Sequence, residues 1–112
     1  MNPEQIKDIG RRIGRELPAE QVILFGSYAH DAATEDSDVD LLVVSNTSLP
    51  PHRRYGAVRR LSADCPAAFD SIVKTPEEYN RWRSVVNHIV YFAEKYGKVI
   101  YERESVLRKE RT

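Results

Sequence analysis

The segment FGSYAHDAATEDSDVDLLVV, residues 25–44, places a Gly-Ser pair and a polar loop between two apolar runs. The first run, residues 22–25, predicts a short buried strand that ends in a tight turn at Gly26 and Ser27. Glycine at such a turn lets backbone amides approach an anion, and a helix that begins there directs its first N–H groups toward that anion. This half of the segment therefore predicts a phosphate-binding turn.

Two aspartates, Asp38 and Asp40, open the second apolar run, which predicts a strand over residues 38–45. Side chains two positions apart on a strand share a face, so both carboxylates stand together while Val39 points away. Like charges at that separation repel and favour a bound divalent cation, and oxygen ligands beside a phosphate favour Mg²⁺. The whole segment therefore predicts a nucleotide bound as its metal complex.

The order and spacing of these residues resemble the signature of the DNA polymerase β-type nucleotidyltransferase superfamily, in which Gly-Ser is followed by Asp-x-Asp. The length and the neighbouring segments are similar to those of the minimal nucleotidyltransferases (MNT), over about residues 4–102. The resemblance implies an α/β fold of the α+β kind, with a small mixed sheet flanked by helices. We expect the domain to span residues 1–102 and a charged C-terminal tail to follow at 103–112.

The resemblance also implies residue roles. Asp38 and Asp40 would hold Mg²⁺, while Gly26 and Ser27 would grip the β- and γ-phosphates of ATP. A third acidic residue is expected on the next strand, where the segment AAFDSIVKT supplies Asp70. Asp70 would complete the metal site or accept the proton of the attacking hydroxyl.

Two other acids, Asp36 and Asp64, are nearby alternatives for the third position. Asp70 is preferred because it interrupts an apolar stretch, where a carboxylate is costly unless something binds it. The chain also departs from the family pattern, since His30-Asp31 stands where a basic residue and a glycine are usual. That substitution puts a side chain where an unusual backbone conformation is needed, and a negative charge close to the phosphates.

The remaining pattern predicts helices and strands in alternation. Asn2 and Pro3 are suited to a helix start, and Thr75-Pro76-Glu77-Glu78 is a second start with a capping box. We predict strands at 21–25, 38–45, 67–73 and 99–101. The predicted helices run from Pro3 to about Leu17, over a short segment near 27–32, over 52–64, and, as one long helix or a helix pair, from Pro76 to Tyr96, ending at Gly97.

Two sets of side chains have both a structural and a functional interpretation, and we prefer the structural one for each. The first is a basic face expected to be solvated, and the second is an aromatic set expected in the core or an interface rather than stacked on a base. These sets are Arg53, Arg54, Arg59 and Arg60 for the basic face, and Tyr79, Trp82, Tyr91 and Tyr96 for the aromatics.

Composition sets limits on partners and compartment. The 112 residues are enough for one domain, and 17 basic residues balance 17 acidic ones, so no global field favours direct nucleic-acid binding. No apolar run approaches the roughly 18 residues that span a bilayer, and no signal-peptide pattern is present, so no membrane association is expected. The single cysteine, Cys65, excludes an internal disulfide, and a cytoplasmic location is expected.

The chain has no room for the extra domain with which larger relatives hold an acceptor, so another polypeptide or a second copy must complete the site. Minimal members resemble antitoxins paired with a helical HEPN protein, and the implied reaction is AMP transfer from ATP to a tyrosine hydroxyl of that toxin. The alternatives are a subunit that neutralises its partner by contact with little or no catalysis, and a stand-alone enzyme acting on a small metabolite. A homodimer is compatible with the apolar surface of a small open sheet.

Overall fold

A computed structural model of the chain describes residues 1–103, in which a four-stranded mixed sheet has helices on both faces. The predicted α+β class, with a small mixed sheet flanked by helices, is confirmed. The charged tail expected at 103–112 lies outside the described residues except for Arg103. The domain boundary at residue 102 therefore stays a prediction.

The order of helices and strands follows the predicted alternation. Two of the helical segments are short 3₁₀ helices, at Ser27–His30 and Pro51–Arg53. The α-helices are α1 Pro3–Glu16, α2 Tyr55–Ser62, α3 Pro76–Trp82 and α4 Ile89–Tyr96, and the strands are β1 Ala19–Phe25, β2 Val39–Ser45, β3 Phe69–Lys74 and β4 Lys98–Glu102.

The sheet has the strand order β3-β2-β1-β4, so β3 and β4 form its edges. Strand β1 is antiparallel to both β2 and β4, whereas β2 and β3 run parallel. The C-terminal end of β1 and the N-terminal ends of β2, β3 and β4 consequently meet at one end of the sheet. The loops that leave and enter this end carry the predicted site residues.

Two apolar clusters fill the space between the sheet and the helices. On one face, α1 contributes Ile6, Ile9 and Ile13 and α2 contributes Val58, all at most 3% exposed. On the other face, α3 and α4 contribute Tyr79, Val90 and Ala93. Alternate residues of β2 supply both clusters, since Leu41 and Val43 point to the first while Leu42 and Val44 point to the second.

Both predicted helix starts are present, and each has a capping box, although the sequence predicted one only at Thr75. The Asn2 side chain accepts from the Gln5 amide at 2.8 Å, and the Gln5 side chain accepts from the Asn2 amide at 2.9 Å. Thr75 and Glu78 make the same reciprocal pair at the start of α3. Such caps satisfy N–H groups that have no partner inside the helix, which is why these starts could be predicted from local sequence.

Several predicted boundaries shift by a few residues. The helix expected over 52–64 begins only at Tyr55, because the prolines before it form a separate 3₁₀ turn. The segment expected to be one long helix or a pair is a pair, separated by a turn in which Asn87 has a positive φ of 73°. Strand β2 begins at Val39 rather than Asp38, since the Val39 amide makes the first ladder bond, to Ala68 O at 2.8 Å.

Gly97 ends α4 as predicted, but for a different physical reason. Its backbone is extended, with φ −84° and ψ 176°, so no left-handed conformation demands glycine. A Cβ at this position would instead overlap Ala93 O and approach Ile23 and Leu24 of β1. Glycine therefore allows the chain to turn closely against the sheet and enter β4.

In residues 1–103, no helix combines the length and apolar character that crossing a membrane requires.

Candidate active site

Three aspartates lie at the end of the sheet where β2 and β3 begin. Asp40 is the second residue of β2 and Asp70 the second residue of β3, and the two are register partners in the parallel ladder. Neighbouring strands lie about 4.8 Å apart, so side chains from paired positions are immediate neighbours. Asp38 precedes β2 by one residue, and Val39 between the two acids is fully buried on the opposite face. The alternation expected for Asp38 and Asp40 is therefore present.

The three carboxylates differ in burial. Asp40 is half-buried, whereas Asp38 and Asp70 are exposed. The sequence predicts that Asp70 is a carboxylate surrounded by apolar residues. This expectation is wrong, because β3 is an edge strand and Asp70 is exposed to solvent. The alternatives Asp36 and Asp64 are also exposed and lie in loops outside the sheet.

Asp40 is the carboxyl of this cluster whose pKa is raised. Burial raises the pKa of its carboxyl above the ordinary value of 3.8, and the negative charges of Asp70 and then Asp38 raise it further. The same three groups would gain from a positive ion among them, because a cation favours the charged form of each carboxylate. The cluster therefore has the electrostatic character of a cation site.

The predicted phosphate-binding turn packs directly against this cluster. Gly26 has φ 74° and ψ −157°, a backbone conformation that is essentially restricted to glycine. A Cβ on Gly26 would overlap Oδ2 of Asp40, so the absence of a side chain lets the turn and the carboxylate lie in contact. Ser27 then begins the 3₁₀ helix, whose Ala29 amide donates to Gly26 O at 3.0 Å. Gly26 and Ser27 thus lie beside Asp40.

The departure at His30-Asp31 has the predicted backbone consequence. Asp31 follows the 3₁₀ helix in the left-handed region, with φ 55° and ψ 27°. Aspartate tolerates this conformation better than most residues because its short polar side chain bonds locally. The Asp31 side chain is exposed, and its residue lines a groove of about 600 Å³ together with Tyr28, Lys7 and Lys98. Asp38, Asp40 and Asp70 do not line this groove.

A magnesium ion fits the donor chemistry of the cluster, with one qualification from geometry. Carboxylate oxygens are the ligands that Mg²⁺ prefers, and the mutual repulsion at Asp40 is the repulsion a cation relieves. As placed, however, no three Asp, Glu, His or Cys side chains of residues 1–103 converge closely enough to hold one ion. Binding one ion among all three carboxylates therefore requires their side chains to move closer together.

Two contacts near the site could not be predicted from sequence. The Tyr55 hydroxyl donates to Phe69 O at 2.9 Å, so α2 is tied to the start of β3 immediately beside Asp70. The Arg59 guanidinium lies over the Tyr55 ring, 5.6 Å from its centroid. Neither contact follows a local pattern, because each depends on how α2 packs along the sheet edge.

Arg54 does not belong to the solvated basic face to which it was assigned. It is 8% exposed, pairs with Glu78 at 2.6 Å and donates to Leu49 O and Val73 O. Of the four aromatics, Tyr79 lies in the core and Trp82 packs against it, whereas Tyr91 is half-buried and Tyr96 remains 49% exposed. The core assignment therefore holds for the first two, and an interface role for Tyr96 stays a prediction.

Comparison with known proteins gave a family and two structural relatives. Residues 4–111 match the family described as Nucleotidyltransferase domain. A crystal structure of a candidate nucleotidyltransferase from Sulfolobus solfataricus superposes with a TM-score of 0.59 at 22% identity, covering 90% of this chain and 84% of that one. A crystal structure of a toxin–antitoxin with AMP-PNP superposes with a TM-score of 0.65 at 18% identity, covering 97% and 80%. At these identities the likeness shows the fold alone, and no curated protein matched the sequence.

Proposed function

This chain belongs to the nucleotidyltransferase domain family and has a nucleotidyltransferase fold, and on that premise we propose that it is a Mg²⁺-dependent protein adenylyltransferase. It would transfer AMP from ATP to a tyrosine hydroxyl of a helical HEPN-type toxin in the cytoplasm, and so act as the antitoxin. The observation that carries the proposal is the register pairing of Asp40 with Asp70 beside the Gly26 turn. Residues 1–102 would form the catalytic unit.

Each site residue has a role that suits its position. The Gly26 turn would bind the β- and γ-phosphates, because a residue without Cβ allows close approach of its backbone, and the Ser27 hydroxyl would add a hydrogen bond. Asp38, Asp40 and Asp70 would hold Mg²⁺, which when bound stabilises the negative charge that develops on the phosphate oxygens. Asp40 would form the floor of the metal site because it is the most buried of the three aspartates.

The reaction would be a single displacement at the α-phosphorus of ATP. The tyrosine oxygen forms the new bond to phosphorus, the bond to the bridging oxygen breaks, and pyrophosphate leaves. Asp70 would either complete the metal site or accept the proton that the tyrosine hydroxyl loses, and its exposure beside Asp40 supports either role. Residues of the turn would hold the leaving pyrophosphate.

The acceptor would have to come from another molecule. The described residues are taken up by one sheet and its covering helices, and the three carboxylates lie at an open sheet end rather than in an enclosed pocket. A protein segment could reach such a site without a dedicated cavity. The solved toxin–antitoxin with AMP-PNP supports both a toxin as partner and an adenine nucleotide as substrate for this fold.

Intact-mass spectrometry tests the proposal directly. The partner tested is a small helical protein encoded by a gene adjacent to that of this chain. It is incubated with this chain, ATP and Mg²⁺, and the control is the Asp38→Ala, Asp40→Ala double variant. We expect the partner to gain one or more AMP units with the wild type and none with the control. Absence of a mass change with each of the four ribonucleoside triphosphates, alongside a stable complex, would contradict catalysis.

A second candidate is an antitoxin that neutralises its partner by binding, with little or no catalysis. Two observations favour it: Asp31 puts a negative charge on the loop beside the phosphate turn, and the three carboxylates do not converge as placed. The mass measurement separates the two functions when it is paired with a toxicity assay. The binding function predicts that the double variant still neutralises the partner, whereas the enzymatic function predicts that neutralisation is lost.

A further inference from the structure

An exposed apolar surface runs along α4 and the turn that precedes it. Its members are 41–63% exposed although each is a large apolar or aromatic side chain. We call it the α4 surface, and it consists of Val85, Val86, Ile89, Phe92 and Tyr96.

The spacing of the α4 surface is that of a helix contact seam. Ile89, Phe92 and Tyr96 stand at positions i, i+3 and i+7 of one helix and so form a single stripe. The adjacent stripe of the same helix, with Val90 and Ala93, is fully buried against the sheet. Helix α4 is therefore apolar on two faces, and the fold of this chain covers one of them.

The area of the α4 surface is close to what a specific interface requires at its core. Five large side chains about half exposed present on the order of 400 Å², which is within the range of the largest apolar patch on a monomer and is often functional. A standard interface buries about 800 Å² on each partner, the remainder being a polar rim. The rings of Phe92 and Tyr96, with centroids 6.1 Å apart, would form a rigid aromatic centre for it.

The charge around the α4 surface decides between two kinds of occupant. Residues 81–97, which include α4 and the turn before it, carry three cations and the single carboxylate Glu94, although the whole chain is neutral. Glu94 pairs with Arg83, while Lys95 is exposed on α4 beside the stripe. In a symmetric dimer the patch would face its own copy, and the cations around it would meet cations. A partner with an acidic rim would instead meet them with opposite charge.

We propose that the α4 surface is the docking site for an amphipathic helix of a partner protein, with an apolar stripe flanked by Asp and Glu. Phe92 and Tyr96 pack into that stripe, and Lys95 pairs with an acidic flank. The identification of this partner with the toxin rests on the proposed function. Docking here delivers a helical partner to the face of the sheet that also carries Asp40 and Asp70, since α4 covers the same face.

The test measures the dissociation constant of the complex with the neighbouring gene product by calorimetry, for the wild type and four variants. Phe92→Ser removes an aromatic anchor, and Lys95→Glu reverses the charge of an exposed side chain at the rim. Their matched controls are Leu49→Ser, an equally exposed apolar residue outside the surface, and Lys7→Glu, an exposed lysine on α1. We expect Phe92→Ser to weaken binding roughly 10- to 100-fold and Lys95→Glu several-fold, and the controls to have wild-type affinity.

Equal affinity of the wild type, Phe92→Ser and Lys95→Glu would overturn the proposal, as would the lack of any complex with the wild type. Light scattering of the isolated chain adds a third outcome: a wild-type dimer that Phe92→Ser converts to a monomer would assign the surface to a second copy. Failure of the proposed catalysis is read separately, because the Asp38→Ala, Asp40→Ala variant leaves the α4 surface intact and loses only AMP transfer.

Discussion

Asp40 and Asp70 are register partners on adjacent parallel strands, although 30 positions of sequence separate them. The pairing puts two carboxylates side by side at the open end of the sheet, and burial together with the neighbouring charges raises the pKa of Asp40. Charge that is unfavourable in the free protein is favourable once a cation is bound. We therefore expect that removing a negative charge from the candidate site raises the stability of the metal-free protein and lowers its activity.

Asp40→Asn should stabilise the metal-free protein while abolishing nucleotidyl transfer. Because the folded-state pKa of Asp40 is raised, the folded state binds more protons than the unfolded state, and stability falls as pH rises through the region above 3.8. At pH 7 the burial and repulsion of the Asp40 charge lower the free energy of unfolding by their full amount, and asparagine removes that charge. We expect a gain in unfolding free energy of less than about 1 kcal/mol, since solvent screens a half-exposed group.

Urea unfolding in EDTA at pH 7 and at pH 4 measures this effect for Asp40→Asn. The gain should be present at pH 7 and smaller at pH 4, and AMP transfer should drop by about 10³-fold or more. Asp36→Asn is the control, because Asp36 is an exposed loop acid outside the sheet. A destabilised Asp40→Asn at pH 7 would contradict the repulsion argument.

Gly26→Ala should disrupt both the fold of the turn and the site. Alanine would be strained at φ 74° and its Cβ would overlap the Asp40 carboxylate, so we expect a loss of about 1–3 kcal/mol and a loss of ATP binding. Gly56→Ala is the matched control: it lies in α2 with open space around it, the nearest atom being Arg60 Nη1 at 3.9 Å. Thermal unfolding should show Gly56→Ala unchanged or up to about 1 kcal/mol more stable.

Local sequence was sufficient to predict those features that local chemistry determines. The helix start at Asn2, the capping box at Thr75, the turn at Gly26 and the alternation of Asp38 with Val39 all depend on residues within four positions of one another. Each is determined by backbone conformation or hydrogen bonds among neighbouring residues. The placement of these elements in the structure follows the prediction within a few residues.

Features set by distant packing were not accessible in the same way. Arg54 carries the same charge as its neighbours, yet it is buried because the carbonyls of Leu49 and Val73 and the Glu78 carboxylate surround it. The exposure of Asp70 depends on β3 being an edge strand, which the residues of β3 do not encode. The catalytic role of these acids remains a prediction, because geometry alone does not test a reaction.

Asp31→Asn should increase the affinity for ATP. Asparagine keeps the left-handed backbone that Asp31 adopts and removes one negative charge from the loop next to the phosphate turn. We expect the dissociation constant of Mg-ATP to fall about two- to tenfold at low salt, with little change in thermal stability. The difference should narrow in 0.5 M salt, which screens the charge. Identical affinities at low salt would show that Asp31 lies too far from the phosphates to matter.

Glu78→Gln should destabilise the fold without altering the chemistry. The Thr75 amide, and then Arg54, lower the pKa of Glu78 below its ordinary value of 4.5. A lowered folded-state pKa contributes stability that is present above 4.5 and is lost as pH falls through the folded pKa. Removing the carboxylate also leaves buried Arg54 without its ion pair, so we expect a loss of about 2–3 kcal/mol at pH 7.

Chemical denaturation between pH 7 and pH 3 should show the difference from wild type shrinking in acid, whereas Glu77→Gln, an exposed neighbour in the same turn, should follow the wild type throughout. A pH-independent difference would mean that shape rather than charge at Glu78 holds α3 against the sheet.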